Sequence, residues 1–451
     1  MSKPSTKIFL TLFALLCCLP ALLAQPKFNS PYSRIGIGDA FDQNFAAASG
    51  MGGLGSVFFS KHTANVINPA SYAYLRTTSF DIGLYGQYSS LDDANNESQE
   101  IWSGNLSYLS LAFPIKNPLN QALDREQSPF SWGMGFSLLP LSNVGYLIEL
   151  TEEVPGTGTA NYSFEGSGGL YRLLWSNGFK YKEYSFGLNL GYLFGNLDNR
   201  TTIAFPDLES SFVNLLRDEI SVTGFVWDAG FMYDYRFKRK GSDGEMENTG
   251  KYVVVGAYGR SPNSFSTRSQ SLRARNNPFF SLRGTDTLSF TDTIRGDGRL
   301  PAQFGLGVMT GKENKWMAGI QIESTPWSQY ENEVQVSDAK LRNSWRLSIG
   351  GQITPDHISY NSYGKRMSYR LGAFYGTDPR IDTNGEQLKR YGATAGFGFP
   401  LYLPNRKLSY LDVSMEVGQF GTDDSLKEFY ARMTVGFSLN DNSWFIKRKF
   451  Y

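Results

Sequence analysis

The sequence predicts an all-β chain: a transmembrane antiparallel β-barrel of about 14 strands with an N-terminal hatch in its lumen. Three observations carry that expectation. Hydrophobicity alternates with a period of two over long runs, the apolar faces carry Tyr, Trp and Phe at their ends, and an export signal precedes them all. A soluble sandwich also alternates, but its strands are usually about five or six residues long. A tilted strand crossing a bilayer needs about 9–11 residues, and outer-membrane barrels carry an aromatic girdle at each interface. In lipid, only a closed barrel satisfies every strand's main-chain groups.

The alternation is clearest in residues 184–194, where Tyr184, Phe186, Leu188, Leu190, Tyr192 and Phe194 share one face while Ser185, Gly187, Asn189 and Gly191 share the other. Phe429, Ala431, Met433, Val435, Phe437 and Leu439 repeat it near the end of the chain, against Tyr430, Arg432, Thr434, Gly436, Ser438 and Asn440. Reading such faces along the chain gives strands near 78–89, 102–114, 130–150, 158–180, 183–195, 219–237, 250–258, 302–311, 315–325, 342–354, 365–377, 388–399, 407–419 and 427–440. Fourteen is an even number, as a single-chain bacterial barrel requires. The inserts 195–218, 238–249 and 259–300 are polar or charged and are expected to be external loops without strong strands.

Composition removes other classes. Lys+Arg 43 against Asp+Glu 42 leaves a formal charge of +1, without the basic footprint of a nucleic-acid binder. The one long apolar run is Ile8 to Leu19, preceded by Lys3 and Lys7 and followed by Pro20-Ala21-Leu22-Leu23-Ala24, the layout of a secretory signal cleaved after Ala24. The residues before Cys17 and Cys18 are not the small pair expected of a lipidation site. Both cysteines leave with the signal, so the mature chain has no thiol for a disulfide, a metal or a nucleophile. His62 and His357 are too few for a histidine metal site, and neither stands in a pattern that activates a nucleophile. The expectation is a protein that is not an enzyme and has no cofactor and no metal.

The expected domains are a signal peptide (1–24), an N-terminal hatch (25–76), the barrel (77–440) and a tail (441–451) whose Lys447-Arg448-Lys449 does not suit a lipid-facing strand. Faces expected to turn inward carry both signs: Asp228, Asp234, Glu323, Asp412 and Glu416 against Arg236, Arg346, Arg370 and Arg432. Such near-cancelling charge suits either an ion-pair lattice filling the lumen or a selectivity ladder for an ionic solute.

Residues 25–76 differ from the rest. Gly50-Met51-Gly52-Gly53 and Asn68-Pro69-Ala70 lie in a small-residue stretch that lacks the GK[ST] ending and the strand-to-helix context of a phosphate loop. A fourteen-stranded barrel is too wide for its own side chains to fill, so a plug is expected. Gly50, Met51, Gly52 and Gly53 allow tight packing against the wall, and Asn68, Pro69 and Ala70 form a stiff turn before the first strand.

These segments and the train of strands after them resemble the FadL-type outer-membrane hydrophobic-compound transporters, in a Bacteroidota-like form. Gly168-Gly169-Leu170-Tyr171-Arg172, Leu300-Pro301, Trp316 and Pro326-Trp327-Ser328 extend the likeness along the mature chain. The resemblance implies a hatch that gates the lumen and a sideways exit near a kinked third strand. Here that strand contains Gly133, Gly135 and Pro140, and the proline is expected to break or bulge the ladder. Phe205, Phe212, Leu215, Phe279 and Phe280 would line an outer capture groove in a transporter, or contact a second protein in a partner subunit. The sequence also resembles a related barrel that serves type IX secretion.

Two functions therefore stand open: passive uptake of hydrophobic, fatty-acid-like or aromatic small molecules, and a non-transporting barrel subunit of an outer-membrane secretion or assembly complex. The expected location is the Gram-negative cell outer membrane. The expected partners are membrane lipid, a hydrophobic small-molecule ligand and, on the second reading, other outer-membrane proteins, with no nucleic acid.

Overall fold

A computed structural model describes residues 30–92, 98–116, 128–208, 211–240, 246–276, 286–334, 341–382, 384–403, 407–422 and 426–441. The signal peptide, the tail beyond Asp441, Phe279 and Phe280 lie outside the described residues. The strands are β1 (Thr78–Asp92), β2 (Ser98–Pro114), β3 (Phe130–Val154), β4 (Gly158–Tyr181), β5 (Tyr184–Ala204), β6 (Val213–Lys240), β7 (Met246–Arg260), β8 (Asn263–Asn276), β9 (Asp286–Leu300), β10 (Gln303–Lys312), β11 (Trp316–Thr325), β12 (Ser344–Ile353), β13 (Ser368–Ile381), β14 (Gln387–Leu403), β15 (Lys407–Gly421) and β16 (Lys427–Asp441).

Fourteen of these close a ring by antiparallel pairing, in the order β1 to β7 and then β10 to β16, and β16 returns to β1 through a ladder from Lys427↔Asp92 to Asp441↔Thr78. Each strand predicted from alternation is present. On β5, Tyr184, Phe186, Leu188 and Tyr192 face outward and exposed, whereas Ser185, Asn189 and Leu193 are fully buried. The exposed apolar residues form an outward belt, as a barrel wall that faces hydrocarbon requires.

The wall is uneven. Strands β3 to β6 run 25, 24, 21 and 28 residues, against 10 each for β10, β11 and β12. The expectation that 195–218, 238–249 and 259–300 are external loops that lack strands is corrected by the structure: within 238–249, β6 runs on to Lys240 and β7 starts at Met246, at the end of the barrel that holds the β4–β5 turn. β5 continues to Ala204, β6 starts at Val213, and the β8–β9 hairpin extends the sheet by pairing β8 with the upper part of β6. These stretches carry little hydrophobic period because polar residues stand on both faces: Thr267 and Ser269 share the buried inward face with Phe265, and the outward face is wetted. The outward ion pairs Arg217–Asp198 and Arg200–Glu165 belong to water, so the sheet β3-β4-β5-β6-β8-β9 stands clear of the lipid as a tall screen.

Residues 30–76 lie against the inner wall in short pieces: a 3-10 turn (Pro31–Arg34), one helical turn (Ala46–Ser49) and a second 3-10 turn (Pro69–Tyr74) opened by Asn68, whose side chain accepts a hydrogen bond from the Ala70 N–H. Close approach is made possible by the wall itself. Gly133, Gly178, Gly187 and Gly230 stand directly opposite one another on β3 to β6. A Cβ on Gly133 would overlap the Tyr72 carbonyl oxygen, and one on Gly187 the Pro69 carbonyl carbon. Across the lumen, Gly350 and Gly372 pair with each other, and a Cβ on either would overlap the main chain of Met51 and Gly52. The ring of glycines thus forms a groove into which main chain, not side chain, is pressed.

Gly187→Val is expected to lower stability by about 1–3 kcal/mol or displace the luminal segment. Gly86→Val, where an added Cβ meets nothing within 4 Å, should leave the denaturation midpoint unchanged. Urea unfolding in detergent, read by the heat-dependent gel shift and by protease access to residues 30–76, compares the two.

Candidate functional site

The luminal segment is fixed by polar contacts around the whole ring. Gly52 N–H donates to Thr394 Oγ1 at 2.9 Å, and Gly52 and Gly53 hold φ of +72° and +84°, which favours glycine at both positions. Ser56 N–H donates to Gln321 Oε1 at 2.7 Å, and the Asn68 amide donates to the Ser56 carbonyl at 2.7 Å and to that of Phe231 on β6 at 3.2 Å. Phe45 stacks flat on Tyr108 at 3.8 Å, and the Ala46 N–H donates to the Tyr108 hydroxyl at 3.2 Å. Gly50, Met51, Gly52 and Gly53 therefore lie against β12 to β14, while Asn68, Pro69 and Ala70 lie against β5 to β7.

Inward charges form a lattice. Arg172, 1% exposed, pairs with Asp228, and Arg260 approaches the same carboxylate at 3.4 Å. The side-chain carbonyl of Gln43 accepts from both Arg172 (3.1 Å) and Arg260 (2.8 Å). Arg346 pairs with Asp42 of the luminal segment at 2.8 Å, Lys180 with Asp234 at 2.7 Å, Arg370 with Asp412, and Arg390 with Glu416 at 3.2 Å; Glu323 accepts from the Tyr258 hydroxyl. Arg236 joins Asp234 at 3.2 Å, and Arg432 donates to Gln87 at 2.8 Å while lying over Phe41 and Tyr85. Buried charges of this kind persist only when paired and hydrogen-bonded. Asp42, Gln43, Arg172, Arg260 and Arg390 are not evident from the sequence. The first two sit in a segment without periodicity, and Arg172 shares its inward face with Leu170 and Leu174, so no polar stripe announces it.

At the end of the barrel that bears the screen, these arginines floor a cavity of about 210 Å³. Arg172, Arg260, Arg346 and Arg390 lie at its polar side, and Ile37, Leu300, Trp327 and Trp345 contribute apolar walls. Such a cavity suits a molecule with an apolar body and a polar end. Among the described residues, no group of three or more His, Cys, Asp or Glu is placed to hold a metal ion.

The second feature is a gap in the wall. β2 and β3 pair over six positions only, from Pro114↔Gly133 to Leu109↔Leu138, and then both strands continue upward apart. Pro140 stands just above the last pair, and the β3–β4 register shifts between Pro140 and Ser142. The luminal segment takes over the abandoned edge of β3. Gln43 donates to Pro140 O at 3.0 Å, Phe41 N–H to Leu141 O at 2.9 Å, Asp39 and Ala40 pair with Asn143 and Ser142, and Ser30 N–H donates to Gly145 O at 3.2 Å. Asp39 is held from the other side by Arg380, itself bound to Asp378 at 2.6 Å. Gly133 and Gly135 lie below the gap, opposite Pro114 and Ala112 of β2 and against Tyr72, so of the three expected exit residues Pro140 alone borders it. Phe205, Phe212 and Leu215 are half-buried near the top of the screen, Phe212 under the Arg275 guanidinium at 4.5 Å, away from the cavity lining.

No curated protein sequence matches the chain. Among solved structures it is similar to a Pseudomonas aeruginosa FadL homologue (13% identical, TM-score 0.54, 88% of this chain and 98% of the other). It is also similar to the Pseudomonas putida toluene transporter TodX (15%, 0.53, 90% and 100%) and to the CymD monoaromatic hydrocarbon channel (12%, 0.51, 89% and 98%). At such identities the likeness is one of fold, and the fold is that of the FadL-type barrels. The family model described as BamG matches residues 5–451, which covers every strand and the luminal segment. The chain belongs to the BamG family.

Proposed function

We propose that this is an outer-membrane barrel, exported by a signal cleaved after Ala24, whose outward cavity receives a hydrophobic molecule with a polar end and releases it sideways into the lipid between β2 and β3. The observation that carries the reading is the ladder that stops after six pairs. A wall lacking main-chain pairing is an opening that hydrocarbon can use, and residues 30–43 are the hatch that closes it. The similar solved structures, a toluene transporter and a hydrocarbon channel among them, support the reading by their fold. Here the charged floor of the cavity would hold the polar end while Trp327 and Trp345 contact the apolar body.

A second reading, a non-transporting subunit of an outer-membrane secretion or assembly complex, is favoured by one specific observation. The luminal segment is bound through hydrogen bonds and ion pairs to both sides of the lumen, from Asn189 on β5 to Thr394 on β14, an anchoring suited to permanent filling.

Two measurements separate these readings. Ala40 and Ser142 are Cα partners across the sealed edge, so Ala40→Cys with Ser142→Cys supplies the sole pair of thiols in the mature chain. Oxidation is expected to reduce uptake of a hydrophobic probe into proteoliposomes at least about tenfold, with recovery on reduction; flux indifferent to oxidation rejects sideways release through this gap. Gentle detergent extraction followed by native mass analysis is expected to return a lone barrel carrying a lipid-sized ligand. A fixed-stoichiometry protein complex with an empty lumen would select the second reading.

Removing one partner of a partly buried ion pair adds an independent check on the anchoring. Asp42→Ala leaves Arg346 with the Gly52 carbonyl oxygen but without this carboxylate, and is expected to cost about 1–3 kcal/mol. A change below about 1 kcal/mol in the unfolding free energy would mean that the segment is not held through this pair.

A further inference from the structure

The tall screen is an open sheet, and its two edges are finished differently. β9 is interrupted by register shifts at Thr287/Ser289 and Thr291/Ile294, and near its base Gly298 and Arg299 pair with Asn332 and Glu331. Bulges and covered ends are how proteins blunt a strand edge. On the other side, β3 continues from Tyr146 to Val154 paired to β4 through an unbroken register, while its opposite edge has no ladder partner among the described residues. The luminal segment serves that edge only up to Gly145.

From Glu149 to Glu153 this free edge is exposed on both faces, whereas Tyr146 and Ile148 at its foot pack inward, and it has a distinct chemistry. Leu147 and Leu150 are 39% and 51% exposed. Glu149, Glu152 and Glu153 stand beside them, and among the described residues none of the three takes part in an ion pair. Their cross-strand neighbours on β4 are Ser163, Ala160 and Thr159, which offer no charge. At the foot of the edge, a groove of about 480 Å³ opens between β3 and β2, lined by Ser30, Pro31, Trp102, Tyr146 and Leu147, with Trp102 71% exposed.

We infer that residues 146–154 of β3 are a docking edge for an extended, Lys/Arg-rich segment of a second protein on the same face of the membrane, added as a strand beside β3. Unpaired N–H and C=O groups at strand spacing are matched by another main chain, and alternate side chains then read the flanking surface. Three uncompensated carboxylates select a basic strand, while Leu147 and Trp102 offer apolar contacts at its lower end. A second copy of this chain is disfavoured because it would bring the same carboxylates face to face. The chain's own residues 25–29 reach about 17 Å, against about 30 Å of edge, and supply a single lysine. Lipid offers neither the main-chain spacing nor the positive charge. The docking edge goes beyond the proposed function and holds whether or not a molecule leaves through the gap below.

The test is photo-cross-linking in intact outer membranes, with p-benzoylphenylalanine placed singly at Leu147, Leu150 and, as a lipid-facing control, Leu306, and with adducts mapped at peptide level. The expected result is that 147 and 150 label one Lys/Arg-containing stretch of one other protein, at sites about three residues apart, and that 306 does not. Glu149→Lys, Glu152→Lys and Glu153→Lys together should reduce that adduct at least about tenfold. The triple Gln variant should reduce it less, and both variants should keep the heat-dependent gel shift of the folded barrel. Adducts confined to lipid, to residues 25–29 or 93–97 of the same chain, or to a second copy would overturn the inference, as would no adduct, or a partner adduct indifferent to charge reversal.

Discussion

Main-chain satisfaction in an apolar medium is the constraint on which the rest of this structure depends. Thirteen of the fourteen strand junctions meet it by long ladders; the junction between β2 and β3 meets it for six pairs and then stops. The remedy is local. Residues 30–43 turn their own main chain and the Gln43 amide toward the edge of β3, and the Arg380 guanidinium bound to Asp39 and Asp378 keeps them there. The position of the segment, the cavity above it and the gap beside it all derive from that substitution of one partner for another.

The barrel is legible in the sequence because lipid imposes a simple rule on alternate residues. Tyr184, Phe186, Leu188 and Tyr192 have no inward role, so their pattern stays clean, and such runs reveal the number of strands. Legibility fails where the solvent changes. On β8 and β9, polar residues stand on both faces, and Ser, Thr, Arg and Asp succeed one another without a hydrophobic period, although on β8 Phe265, Thr267 and Ser269 are buried in alternation with exposed Ser264, Ser266 and Arg268.

The site is less legible for a different reason. Small residues at 50–53 and the Asn68 turn mark a segment that packs closely, but the groove that receives them belongs to glycines scattered over many strands. Their alignment exists only through register: Gly133, Gly178, Gly187 and Gly230 become neighbours when four strands fall into place. Arg172 shows the same limit. Its inward neighbours Leu170 and Leu174 are apolar, and its partners Gln43 and Asp228 are far from it in sequence. The proline at 140 is visible in the sequence, but the extent of the gap beside it is not, because a ladder's end depends on two strands.

The enclosed segment has a consequence for how the molecule is made. Residues 30–76 touch strands from the first to the last, and along the ring of glycines their main chain occupies the space where any side chain would stand. A finished cylinder offers no route by which such a segment is threaded in afterwards. Closure of β16 on β1, which joins residues more than 300 positions apart, must therefore come after the N-terminal residues have settled. The slow, long-range step of assembly thus wraps around residues 30–76 already in place.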